Sequence, residues 1–148
     1  MSVRVQIEPF DPGAETNAFL TANAGAGAAV TFTGLVRSDA ANPLSALTLE
    51  CYIDLAVKQI ETIVREATQR FNLLDVSAIH RYGTLNVGEP IVQVMTLSAH
   101  RRAAFEAAEF LMDYLKTDAP FWKKETTASG EHWVEHNAAD DAAKARWR

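Results

Sequence analysis

Residues 91–116 read IVQVMTLSAHRRAAFEAAEFLMDYLK, and the spacing of apolar residues changes partway through. Through Ala99 the run is continuous and rich in β-branched and long apolar side chains, as a buried strand requires. Beyond it, Ala104, Phe105, Ala108, Leu111, Met112 and Leu115 return at intervals of three and four. That spacing predicts a helix over roughly 100–116 with those six side chains inward. Pro120 sets its latest limit, because proline cannot continue the hydrogen-bond ladder.

The same two periods recur upstream. Val3, Val5 and Ile7 alternate with Arg4 and Gln6, a strand with one wet face. Pro9 and Pro12 mark the turn out of it, and residues 12–23 suit a short helix. VTFTGLVR and SALTLECYI read as strands, with SDAANPL (38–44) as the loop between them and Cys51 inside the second. Asp54 is placed to cap a helix running to about Phe71, whose apolar stripe is Ala56, Ile60, Ile63, Val64, Ala67 and Phe71. A strand around VSAIHRYG, a turn near NVGEP, a closing hairpin from FWKKETT and EHWVEH, and a short alanine-rich helix complete the chain. The class is α+β, in one domain spanning residues 1–148, a length that suits one.

With 148 residues, 48% of them hydrophobic and only 7 Gly and 5 Pro, the chain is neither disordered nor fibrous. One cysteine forms no internal bridge and no cysteine-rich zinc site. The net charge of −5 argues against a nucleic-acid partner. The start lacks the leader pattern of a secreted chain. The longest uncharged stretch, Thr16–Val36, carries four threonines, two asparagines and three glycines, so it does not read as a membrane span. A cytoplasmic protein is expected.

Charge is uneven: residues 1–75 carry 5 basic and 9 acidic groups, whereas 76–148 carry 9 and 10. Most of the second set clusters as His100, Arg101, Arg102, Lys116, Lys123 and Lys124. Arg101 and Lys116 lie fifteen residues apart, about 22 Å along a helix, too far to hold one small substrate from one helix. Lys116 and Lys123 flank the turn at Pro120, which can bring them together. Crowded lysines lose protons more readily and suit acid–base work, and arginines and lysines suit a phosphate. Ordinary surface charge at a helix end is the competing reading. His80, in a strand, reads as a satisfied core histidine. His132 and His136 lack a metal-site pattern, Cys51 reads as an inert thiol, and Phe121 and Trp122 read as packing aromatics.

Five stretches carry a resemblance that covers nearly the whole chain: FTGLVR (32–37), ALTLECY (46–52), IHRYGTLNVGE (79–89), SAHRRAAFEAAEFLMDYLKTDAPFWKKE (98–125) and HWVE (132–135). Together they resemble the large, catalytic subunits of molybdopterin synthase. The resemblance implies an α/β hammerhead-like fold with a mixed or antiparallel sheet and flanking helices. It implies a homodimer that binds a small ubiquitin-like sulfur carrier at each end, giving a heterotetramer. The carrier's C-terminal Gly-Gly thiocarboxylate would deliver two sulfurs to cyclic pyranopterin monophosphate and form the dithiolene of molybdopterin, with no cofactor, ATP or metal on this subunit. Carried over by position, Lys116 and Lys123 would be catalytic. Arg37, His100 and Arg101 would bind pterin or phosphate, and Lys124 and Glu125 would complete the substrate-binding set, Lys124 as a basic neighbour and Glu125 as a pocket or orienting residue.

The chain departs from the family pattern at Cys51, where histidine is common, and at Ile53, Asp54 and Leu55, where Pro-Gly-Met is frequent. Asp118 and Asn137 stand where arginines are often found, with Arg102, Arg146 or Arg148 as candidates to compensate. Those last two departures lend what weight there is to a second reading, a binding module that keeps the carrier-tail groove without turnover.

Overall fold

The computed structural model describes residues 1–21, 23–135 and 137–148. Its elements, in chain order, are β1 (Ser2–Gln6), α1 (Pro12–Phe19), β2 (Ala28–Leu35), β3 (Leu44–Glu50), α2 (Ile53–Phe71), β4 (Asp75–Arg81), β5 (Gly83–Leu85), β6 (Pro90–Ser98), α3 (Arg101–Asp118), β7 (Trp122–Thr127), β8 (Gly130–Trp133) and α4 (Ala138–Ala145).

Two four-stranded sheets form. The first runs β1-β4-β6-β2 and is mixed, with β1 parallel to β4 and the other pairs antiparallel. The second runs β5-β3-β7-β8 and is antiparallel throughout. The α+β class with a mixed sheet and flanking helices is as expected. On one face of the first sheet, Val76, Ala78, Val92 and Val94 pack against Ile60, Val64 and Ala67 of α2 and against Ala107, Phe110, Leu111 and Leu115 of α3. The apolar stripes read from the sequence are therefore what glues the helices to the sheet. α1 lies against the other face, where the buried Gln93 amide donates to the Pro12 carbonyl at 3.1 Å. A smaller core of Val36, Leu49 and Leu85 backs the second sheet, and Ile91 and Phe121 pack against both cores. The two sheets meet at these two side chains.

Several boundaries differ from the sequence reading, each for a local reason. α1 stops at Phe19, and the Asn23 side chain turns the following segment by accepting from Gly25 N at 3.0 Å; Ala22 lies outside the described residues. Its cap is Asp11, which accepts from Gly13 and Ala14 N. The cap of α2 is Tyr52, through its carbonyl, and Asp54 instead sits in the first turn, facing the positive helix end. Cys51 falls just past β3. The loop expected over 38–44 ends one residue early, with Leu44 already paired to Thr127. The strand around VSAIHRYG is broken: Gly83, at φ +91, turns the chain out of the first sheet and into β5 of the second. On α3 the inward stripe is Ala104, Ala107, Ala108, Phe110, Leu111 and Leu115, whereas Phe105 is 61% exposed. Phe105 lies one residue off the centre of that stripe, beside β2, where no described element covers it.

Candidate active site at the junction of the two sheets

α3 ends at Asp118, Ala119 is extended, and Pro120 prevents continuation, so the chain reverses into β7 within four residues. The reversal brings Lys116, on the last turn of α3, and Lys123, the second residue of β7, to the wall of one cavity. They face a small cavity of about 60 Å³ walled by His80, Ile91, Val92, Met112, Leu115, Ala119 and Phe121. The expected meeting of the two lysines across the Pro120 turn is what the structure shows.

The cavity is apolar except for its amines and one imidazole. Lys123 is half-buried, and its amine is held below the ordinary lysine value, first by desolvation and then by the positive charge of Lys116. Asp140 and Glu125 act in the opposite direction, favouring the protonated amine. The His80 ring stacks on Phe121 with centroids 3.9 Å apart, and its Nδ1 is 2.9 Å from the Arg81 carbonyl. Burial lowers its pKa to about 4, with the two lysines adding to the effect and the hydrogen bond to the Arg81 carbonyl opposing it. It is a neutral imidazole at physiological pH. Local sequence offered no sign of this. His80, on β4 of the first sheet, joins the lysines because its ring stacks on Phe121, the residue before β7 of the second.

Strand alternation sorts the remaining β7 residues. Glu125 shares a face with Lys123, consistent with an orienting role. Lys124 points the other way, 3.5 Å from Glu131 and over the Trp133 ring. It therefore lies across the sheet from the cavity.

His100 and Arg101 lie at the opposite end of α3. His100 is the extended N-cap residue without a side-chain cap bond, and the first turn carries no acidic residue. Together with Gly27, Ala99, Arg102, Phe105 and Glu106 they line an open groove of about 750 Å³. A Cβ at Gly27 would lie 2.2 Å from the Ala99 carbonyl oxygen, so only glycine allows that approach. Uncapped helix N–H groups beside an imidazole and two arginines suit an anion. Arg37 is exposed just after β2, and its neighbour Val36 is held by backbone bonds to Glu89 and Gly88. Neither Arg37 nor the His100–Arg101 pair lines the lysine cavity. His132 is exposed at the β8 edge, and the pairing with His136 lies outside the described residues.

The positions of the two departures are also plain. Asp118 accepts from Lys144 Nζ at 2.6 Å, and Asn137 caps α4 by accepting from Ala139 N at 2.8 Å.

The structure thus brings Lys116 and Lys123 to one cavity and sets the His100–Arg101 groove at the other end of the same helix, whereas the motifs implied a single pocket. The model of the MoaE protein family matches residues 5–118. The chain belongs to the MoaE protein family. A relative from Cereibacter sphaeroides, a molybdopterin synthase catalytic subunit, is 54% identical over 99% of this chain and all of its own. Among solved structures, the molybdopterin biosynthesis MoaE protein of Burkholderia ambifaria MC40-6 superposes with a TM-score of 0.83 at 45% identity, covering 99% of this chain and 97% of that one. A complex of subunits 1 and 2 of the molybdopterin-converting factor of Helicobacter pylori 26695 gives a TM-score of 0.76 over 91% of each chain at 18% identity, which speaks for the fold alone. The MoaE match stops at Asp118, so β7 with Lys123 lies beyond it, whereas the full-length relative spans that region too.

Proposed function

We propose that this chain is the catalytic subunit of a molybdopterin synthase. It transfers two sulfurs from the C-terminal thiocarboxylate of a small ubiquitin-like carrier to cyclic pyranopterin monophosphate and forms the dithiolene. The observation that carries the reading is the Lys116–Lys123 pair in a small apolar cavity, with one amine biased toward its neutral form.

The cavity fits the end of a slender, unbranched chain, which is what a Gly-Gly tail is. Each transfer forms a carbon–sulfur bond at a pterin carbon whose carbon–oxygen bond breaks, the oxygen leaving as water or with the phosphate, and it breaks the bond between sulfur and the carrier's acyl carbon; water adds to that acyl carbon, and the carrier leaves as a carboxylate. A protonated Lys116 next to the acyl oxygen stabilises the charge that develops there. Lys123, whose amine gives up its proton more easily, takes and returns protons at the reacting centre. Glu125 holds Lys123 from the same strand face. Neutral His80 and Phe121 keep the wall dry, which strengthens each of these interactions.

The substrate phosphate belongs with the His100–Arg101 groove; Arg37 follows Leu35, which pairs with Pro90 at the other end of β6, and so stands toward the lysine end as a second anion contact. About 22 Å of α3 separates that groove from the lysines, so one chain does not bring both to one small substrate. A homodimer resolves this if the groove of one copy completes the cavity of the other, and a carrier on each side then makes the heterotetramer. Phe32, Leu35 and Phe105, all exposed on β2 and the adjoining face of α3, offer an apolar surface for such pairing. A cytoplasmic location is part of the reading. Cys51 is a free thiol, as a reducing compartment allows, and no described helix is long and apolar enough to cross a membrane.

Single-turnover assays with thiocarboxylated carrier and pyranopterin monophosphate test the assignment. Lys116→Ala and Lys123→Ala should each lower dithiolene formation by about 100-fold or more, the scale for loss of a charge stabiliser or acid–base group. Near-normal turnover in both would sink the proposal. Carrier binding without sulfur loss in the unaltered protein would favour the binding-module reading instead.

A further inference from the structure

Strand alternation puts Val92, Val94, Thr96 and Ser98 of β6 on one face, the face that meets α3. The two valines are ordinary core. Thr96 and Ser98 occupy equally dry positions, the first with no exposed surface and the second with 1%, yet they carry hydroxyls where valine and alanine would fill the space. A buried hydroxyl has to use its proton, and each uses it on the first turn of α3. Thr96 Oγ1 donates to the Ala104 carbonyl at 2.8 Å, and Ser98 Oγ donates to the His100 carbonyl. From the side of β2, Gly27 N donates to the Ser98 carbonyl at 3.0 Å, the close approach that a Cβ on Gly27 would forbid.

We propose that Thr96 and Ser98 are positioning residues of the anion groove: their hydroxyls fix the height and rotation of the first turn of α3, so that His100 and Arg101 converge on one phosphate. Neither residue lines the groove. The proposal rests on the reading of that groove as the site of the substrate phosphate.

The rest of α3 is held by its apolar stripe, and apolar contact is non-directional, so it resists separation from the sheet better than sliding or rotation. A hydrogen bond is directional and weakens steeply when its angle fails. His100 makes no side-chain cap bond, so its own cap does not orient the turn. The two hydroxyls do, at two points: one at His100 itself and one a helical turn later at Ala104. Two fixed points set both the place of the turn and its rotation. A phosphate shared by an imidazole and a guanidinium needs both groups in reach at once, and a small misplacement of either loses the pair.

Inorganic phosphate is titrated into the full-length protein, and the His100 ring signal, identified by its loss in His100→Gln, is followed by NMR. Thr96→Val keeps the shape of the side chain and removes the bond. It should weaken phosphate binding about 3- to 10-fold, the scale of one hydrogen bond, and Ser98→Ala should do the same. Thr96→Ser keeps the hydroxyl and should bind phosphate as the unaltered protein does, although the lost methyl lowers its melting temperature. A phosphate remote from the reacting carbons is bound equally in ground and transition states. Half-saturation by pyranopterin monophosphate in single turnover should therefore rise by the same factor, with the saturated rate unchanged. Unchanged phosphate affinity in Thr96→Val and Ser98→Ala would overturn the proposal, and so would affinities that follow melting temperature rather than the hydroxyl. An unaltered protein whose His100 signal ignores phosphate would overturn it as well. The titration needs neither carrier nor turnover, so an unaltered protein that forms no dithiolene would refute the synthase reading and leave the phosphate result standing.

Discussion

His80 carries the clearest pH signature. Folding lowers its pKa from 6.5 to about 4, so the folded state favours the neutral ring and the unfolded chain takes up a proton first as pH falls. The stabilising contribution is fully present above the unfolded value and is lost as pH falls from about 6.5 to 4. Between pH 7 and pH 5 the loss amounts to about 2 kcal/mol. Urea midpoints at those two pH values should differ less in His80→Gln than in the unaltered protein, although the variant, having lost the Phe121 stack, is less stable at both. Equal pH slopes would show that His80 is not the group responsible. Lys123 stands beside it under the same desolvation, yet the Pro120 turn made its meeting with Lys116 foreseeable, whereas nothing around VSAIHRYG pointed His80 at the lysines.

At the scale of the element, α4 shows how a short polar helix is retained. It has no buried residue of its own, and an isolated helix of this length is unstable in water. Its hold comes from its ends: the Asn137 cap, the Lys144 and Arg146 ion pairs, and Trp147, which packs edge-on to Phe71 and Phe110 at 5.8 and 5.5 Å. Trp147→Ala removes the apolar part of that anchorage and leaves the buried side of Asp113 without its indole donor. A cost of about 2–3 kcal/mol is expected, since the ring is only partly buried. Hydrogen exchange should show lost protection concentrated in 138–145, and uniform loss across α2 and α3 would argue that Trp147 belongs to the main core instead. The two family departures gain a structural explanation here. Asp118 and Asn137 lower local positive charge in the sequence, but in the fold one anchors α4 and the other caps it.

For the whole molecule, the decisive dimension is the length of α3. Its two ends carry the two halves of the proposed chemistry, and no arrangement of a single chain closes that distance. A shared site predicts complementation. Arg101→Ala and Lys123→Ala homodimers should each be nearly inactive, whereas co-expressed chains should recover roughly a quarter of normal activity, because half the dimers are then mixed and each of these has one intact site. No recovery in verified mixed dimers would place each complete site within one chain. Phe105 matters at this scale as well: helical spacing sends it inward, yet it stands exposed beside Phe32 on the open β2 edge, as a side chain would if it were reserved for a second copy.

Local periodicity determined the class of this protein, most of its helices and strands, its closing hairpin and the turn that joins Lys116 to Lys123, because each of these depends on residues near one another in the chain. The motifs carried the family for the same reason, being contiguous. Only the tertiary structure decided the rest: that Gly83 passes the chain from one sheet to the other, that Lys124 faces away from its neighbour's cavity, that His80 is a neutral wall of the site, and that Lys144 of α4 pairs with Asp118 at the end of α3. These depend on β3 pairing with β7 and on α4 docking against α3, contacts between residues dozens of positions apart. Spacing along the chain reports which face a residue takes, and only packing reports what that face meets.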